Sequence, residues 1–273
     1  MKKLLIVAIS LLCIICAGCF EVNSELTITD TGAVMGHYKF IGTAALTQPI
    51  EDWKNQAKKL NPNIKIKAIE QGDLRGYELV TEYPDIETFA KSASKLYLAH
   101  EGKNKGISRR KSWFFDEYDF DFYWTSSSAQ TAFNATVNQA LLSRAVLDTT
   151  INLPYAVDTT NADEVSDGGK FLKWHLAHIA INGGEKSMQA RFKIWHKDKV
   201  FLTAAVELML FAAMIFFLIK ARSEDSETLG KDFRFKRNVF AGLFVALSLI
   251  AAYFLFTPIA FTDADIISVA TQS

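Results

Sequence analysis

The chain has 273 residues, and its 30 lysines and arginines balance 30 aspartates and glutamates. That balance supplies no global field for a polyanion, so nucleic acid is not expected as a partner. The three cysteines, Cys13, Cys16 and Cys19, all lie at the N-terminus. A mature chain that begins at a lipidated Cys19 has no thiol left for a disulfide, a thiolate metal site or a nucleophile.

The N-terminus is basic at Lys2 and Lys3, then apolar from Leu4, then small at Ala17 and Gly18 just before Cys19. This is the layout of a secretory signal. With the cysteine after the small pair it resembles a bacterial lipoprotein signal, in which cleavage precedes the cysteine and its thiol carries a diacylglycerol. The alternative is a plain signal peptide or an N-terminal membrane helix that keeps its cysteines. Residues 1–18 are read as the signal peptide and Cys19 as the lipidation site.

An exported domain follows. Val22, Leu26 and Ile28 alternate along a strand over 21–28, Asp30-Thr31-Gly32 turns, and 34–41 returns. Thr47-Gln48-Pro49 opens a helix over 50–60 with Ile50, Trp53, Ala57 and Leu60 at helical spacing. A half-buried strand over 64–68 and its return over 77–83 come next. Pro84-Asp85 then starts a second helix, with Ile86, Phe89, Ala90, Ala93, Leu96 and Tyr97 on one face. Strand-strand-helix twice over favours an antiparallel sheet with helices on one face, an α+β fold.

A polar loop over 100–106 leads to a hairpin over 107–115 and 118–124. A Ser/Thr-rich break over 125–131 precedes a short helix over 133–144. From there the pattern is all-β, with strands over 146–153, 171–176 and 187–194. The α+β domain is placed at 19–144 and its closing β-segment at 145–198.

Two apolar runs end the chain, at 200–219 with the single charge Glu207 and at 239–256 with none. Each has about the 20 residues a helix needs to cross a bilayer. Transmembrane helices are expected at 199–220 and 239–258; the alternative is a pair of buried core helices. The linker 221–238 and its borders carry Lys220, Arg222, Lys231, Arg234, Lys236 and Arg237, whereas the tail 259–273 carries Asp263 and Asp265 and no lysine or arginine. By the positive-inside rule the linker is cytoplasmic and the tail external. Lipidation of Cys19 after export demands the same orientation. Lys197 and Lys199, just outside the first run, weigh mildly against it.

The stretch Leu153-Pro154, Asn161-Ala162, Val165, Asp167-Gly168 and Lys173-Trp174-His175-Leu176 is similar to the closing β-segment of the LppM-like lipoprotein family. The order of features, from lipidated cysteine through an opening hairpin to a C-terminal span, resembles that family over about Cys19 to Ile219. The second span departs from the single span usual there. The resemblance implies a non-enzymatic cell-envelope protein with an affinity for membrane lipids or glycolipids. No catalytic motif is carried over with it.

No H-E-x-x-H, nucleophile elbow or P-loop occurs, and no cofactor or metal is expected. His175 and His178 are placed on one strand, where an offset of three points them to opposite faces. Asp116, Glu117, Asp119 and Asp121 lie in a strand and read as a solvated face rather than a calcium loop. The strongest candidate for binding is 103–124. Arg109, Arg110 and Lys111 suit phosphate headgroups, and Tyr118, Phe120, Phe122 and Trp124 on one strand face suit acyl chains. The competing reading is a packed aromatic core with basic residues guarding a sheet edge. Glu207 is a candidate intramembrane functional residue; alternatively it stays hydrated near the outer surface or pairs with Ser248. The expected partners are membrane lipids or an envelope protein. A structural or signalling role of the helical hairpin in a membrane complex is the second hypothesis.

Overall fold

The computed structural model of the chain describes residues 20–60, 64–97, 106–125, 146–182, 184–223, 227–256 and 266–267. The signal peptide with Cys19, the helix expected at 133–144 and most of the external tail lie outside these residues. The chain divides into two units, one of Met1–Arg109, Tyr118–Phe192 and Asp263–Ser273, the other of Arg110–Glu117 and Lys193–Thr262.

The first unit opens with the expected hairpin of β1 (Phe20–Ile28) and β2 (Val34–Gly42). Gly32 adopts φ 85° in the turn, a conformation that costs a residue without Cβ little, and its N–H donates to the Thr29 carbonyl at 3.0 Å. Helix α1 (Thr47–Leu60) buries Ile50 and Ala57, and Trp53 meets Phe40 edge-on at 5.3 Å. Strands β3 (Lys65–Gln71) and β4 (Leu74–Tyr83) pair antiparallel, and β4 pairs with β2. Gly76 is required where β4 meets β2, since a Cβ there would lie 1.9 Å from the Phe40 carbonyl oxygen. Helix α2 (Ile86–Tyr97) is capped by Asp85, whose Oδ1 accepts the Thr88 N–H at 2.6 Å. It buries Ile86, Phe89 and Ala90.

The remaining strands are β5 (Gly106–Lys111), β6 (Phe115–Thr125), β7 (Val146–Asn152), β8 (Thr159–Thr160), β9 (Glu164–Ser166), β10 (Phe171–His175), β11 (Glu185–Trp195) and β12 (Ile266–Ile267). One sheet has the order β3-β4-β2-β1-β7-β10-β9 and the other β12-β5-β6-β11-β8. The fold is α+β, as expected, with two differences. Strand β7 runs parallel to β1, so the first sheet is not wholly antiparallel. A long connection between the two leaves their relative direction free, and Leu147 and Ile151 are buried beside the opening strand. The closing segment therefore completes the sheet begun by β1.

The closing segment is also not all-β. Helix α3 (Ala177–Asn182) follows β10. The Leu176 N–H donates to Leu147 at 2.8 Å, and the Ile179 N–H then donates to Leu176 at 3.1 Å, which turns the chain out of the ladder. His175 ends β10 and His178 lies in α3, so the expectation of one shared strand is corrected.

The second unit holds two long helices, α4 (Lys197–Ser223) and α5 (Glu227–Phe256). It also holds the turn between β5 and β6. The sequence predicts a strand to Phe115, but β5 ends at Lys111 and residues 112–114 turn, closed by the Ser112 N–H donating to the Phe115 carbonyl at 2.8 Å. No glycine or proline marks this turn, so the pattern holds no signal for it.

Candidate functional site

Helices α4 and α5 are long and apolar enough to cross a membrane. At about 1.5 Å per residue both exceed the ~30 Å of a hydrocarbon core. They pack along an aromatic seam, with Phe211 against Phe244 at 5.9 Å and Phe217 against Phe240 at 5.4 Å. Away from the seam the apolar side chains face outward, Phe201 at 77% exposure and Phe256 at 82%. Glu207 sits on α4 one turn before Phe211 and is half-buried. Among the described residues it has no hydrogen-bond or ion-pair partner, Ser248 included.

The turn over 112–114 reaches both helices. The Phe114 carbonyl accepts the His196 N–H at 2.8 Å, and the Val200 N–H donates to His196 at 3.0 Å to start α4. Ser112 Oγ donates to the Phe254 carbonyl at 3.0 Å, in the last turn of α5. The Trp113 carbonyl lies 3.2 Å from His196 Nδ1, and Lys199 Nζ stands 5.2 Å above the Trp113 ring.

The basic residues of the candidate stretch divide by partner. Arg109, in the first unit, lies 3.5 Å from Glu87. Arg110, in the second, is clasped by Glu117 through both its Nε and Nη2, and Glu117 is buried. Such a pair is charge-neutral and closed, so Arg110 meets a carboxylate before it meets a headgroup. Lys111 is exposed.

The aromatic residues are placed according to depth. Tyr118 and Phe120 are buried, Tyr118 stacked on Phe192 at 5.6 Å and Phe120 tilted against it at 5.5 Å. Phe122 meets Phe120 edge-on at 5.5 Å, and Phe122 and Trp124 are half-buried. The surroundings of Tyr118 and Phe120 are thus filled by protein.

The solvated acidic face is corrected. Glu117 and Asp121 are buried, because β6 lies inside its sheet between β5 and β11, which bring donors to it. Gln189 Nε2 donates to Asp121 at 3.1 Å and Arg191 Nη2 to Asp119 at 2.9 Å. Among the described residues no group of three or more His, Cys, Asp or Glu is placed to hold a metal ion.

Two arrangements escaped the sequence. Asn161 Oδ1 accepts both the Trp174 indole N–H at 3.0 Å and the Gln189 backbone N–H at 2.7 Å, tying β10 to β11. His175 Nδ1 lies 2.8 Å from Asp148 and Nε2 2.7 Å from Glu164. Asp148, and next Glu164, raise its pKa above the ordinary value. Both ring nitrogens face acceptors, so the protonated ring suits the site and neither nitrogen is left for catalysis or a metal.

No family model and no curated protein matches the chain. The NMR structure of the folded domain of LppM from Mycobacterium tuberculosis matches with a TM-score of 0.40 and 14% sequence identity. The match covers 66% of this chain and 93% of that one, a weak resemblance at the level of fold. The two span-length helices fit a membrane-associated protein.

Proposed function

We propose that the chain is a non-enzymatic cell-envelope lipoprotein, anchored at Cys19 and spanning the membrane twice. Its exported α+β domain binds membrane lipid, glycolipid or an envelope partner. The observation that carries the reading is the outward apolar surface of α4 and α5, which nothing in the chain covers among the described residues. In water that surface would be costly; in lipid it is satisfied. The basic linker sets the orientation by the positive-inside rule.

The test is carbonate extraction of membranes carrying the chain and its Cys19→Ala variant, with mass spectrometry of lipid that co-purifies with the chain. Retention of both forms, a diacylglycerol on the native chain and a stoichiometric bound lipid support the reading. Release of Cys19→Ala into the soluble fraction would remove the two spans from it.

Glu207 favours a second reading. A carboxylate on the seam with no partner in the hairpin suits a membrane complex in which a neighbouring helix supplies a donor. Co-purification of a membrane protein that is lost in Glu207→Leu, with no bound lipid, would select this reading over the first.

A further inference from the structure

We infer that the turn over 112–114, with Lys111 and Lys199, is an interfacial anchor that seats in the headgroup layer and takes anionic phospholipid headgroups. The inference rests on the reading that α4 and α5 span the membrane.

Depth comes first. The last carbonyls of a helix lack donors within the helix. In hydrocarbon an unmet carbonyl is costly. Ser112 Oγ supplies the donor for Phe254, two residues before α5 ends at Phe256. The same turn accepts the His196 N–H where α4 begins. One segment thus holds the end of one span and the start of the other, and its level is that of the membrane boundary.

The side chains at that level have the right chemistry. Trp113 is 48% exposed, and indole prefers the headgroup layer to either water or hydrocarbon. Its Nε1–H has no acceptor among the described residues, and Lys199 covers part of the ring. Lys111 is exposed and unpartnered among the described residues. The acidic groups of this end of the unit are Asp116, Glu117 and Asp198. Glu117 is closed by Arg110, and Asp116 faces His196 Nε2 at 3.6 Å, which leaves Asp198 as the exposed carboxylate. An indole N–H with the Lys199 ammonium over its ring, and Lys111 two residues before it in the chain, match a phosphodiester above acyl chains. The cationic and aromatic character predicted for 103–124 is thus usable at the turn, while ion pairs occupy the arginines of β5 and packing occupies Tyr118 and Phe120 of β6.

The experiment uses the full chain reconstituted in phosphatidylcholine vesicles with and without phosphatidylglycerol. Trp113 emission is taken as the difference between the chain and Trp113→Phe. Lipids brominated near the headgroup should quench it more than lipids brominated at the chain ends. The preference for spin-labelled phosphatidylglycerol over phosphatidylcholine should fall about fivefold for each lysine removed in Lys111→Gln and Lys199→Gln. Trp113 emission that no brominated lipid quenches would overturn the anchor, and an unchanged lipid preference in the double variant would overturn the headgroup site. The quenching needs no lysine variant, so it stands if those fail to fold. Carbonate extraction of the same vesicles separates the two readings. Release of the chain sinks the spans, whereas retention with unquenched Trp113 sinks only the anchor.

Discussion

The sheet strands and the two long helices use their aromatic residues in opposite ways. In the first, Trp174 and Phe192 are 1% and 0% exposed, shut inside sheets. In the second, Phe201 and Phe256 stand almost bare. Both sets are equally apolar, so the difference lies in what covers them. Protein atoms cover the first set, and on the proposed reading the membrane is the solvent for the second. The same division runs through the polar groups. Buried Glu117 and Asp121 have donors at hand, whereas Glu207 has none among the described residues.

The sharpest way to break this comparison is to truncate one ring on each side. Phe192→Ala removes a ring that packs against both Tyr118 and Phe120, and should cost about 3–5 kcal/mol. Phe201→Ala should change stability by less than about 0.5 kcal/mol, as surface changes do. Denaturant unfolding of the full chain in detergent, followed by tryptophan fluorescence, measures both. An equal cost at Phe201 would mean that protein covers α4.

Glu117→Ala carries the comparison from buried rings to buried charges. It leaves the half-buried Arg110 guanidinium without this carboxylate, at a cost of about 3 kcal/mol. Lys111→Ala, at the exposed end of β5, should cost under about 0.5 kcal/mol. Matching effects in the same unfolding assay would show that Arg110 finds water and that the pair is a surface one.

Asn161→Ala probes a neutral hydrogen-bonded group, where less is at stake than in a buried ion pair. It takes the acceptor from the Trp174 indole N–H and from the Gln189 N–H. The loss should be about 1–3 kcal/mol, set by the buried indole donor. Asn161→Asp keeps an acceptor at Oδ1 and should recover part of it; failure to do so would show that the Nδ2 bond to the Ser187 carbonyl matters more.

Local pattern carries much of this fold. Alternation at Val22, Leu26 and Ile28 and helical spacing at Ile50, Trp53 and Ala57 are consequences of one element meeting one apolar layer, and both elements form where expected. What pattern does not carry is pairing between distant segments. Nothing in 146–153 says that it lies parallel to β1, and nothing around Asn161 says that β11 is near. The stretch 103–124 stands out in the sequence for its density of cations and rings. Its division into a packed strand and an open turn depends on β11 and the two helices, which come from the far end of the chain. Asp119 and Asp121 read as solvated for the same reason, since their partners Arg191 and Gln189 lie some seventy residues on.

The smallest effect concerns His175, whose ring joins three strands of the first sheet. Asp148 comes from β7 and Glu164 from β9, Lys173 of β10 opposes them, and Asp163 accepts the His175 backbone N–H at 2.8 Å. Its folded pKa is raised, first by Asp148 and then by Glu164, above the ordinary 6.5. A raised value means that the folded state holds the proton more tightly than the unfolded one. The stabilisation is therefore complete below pH 6.5 and is lost as pH rises through the folded value. The ring is 41% exposed, so screening keeps the effect below about 1 kcal/mol. Relative to the native chain, His175→Gln should be less stable at acid pH, and the two should converge at alkaline pH. Amide exchange in β9 should follow the same course, because Glu164 is the contact that holds this edge strand to the ring. A difference that grows with pH would reverse the sign of the linkage and show that the neutral ring is the form the fold prefers.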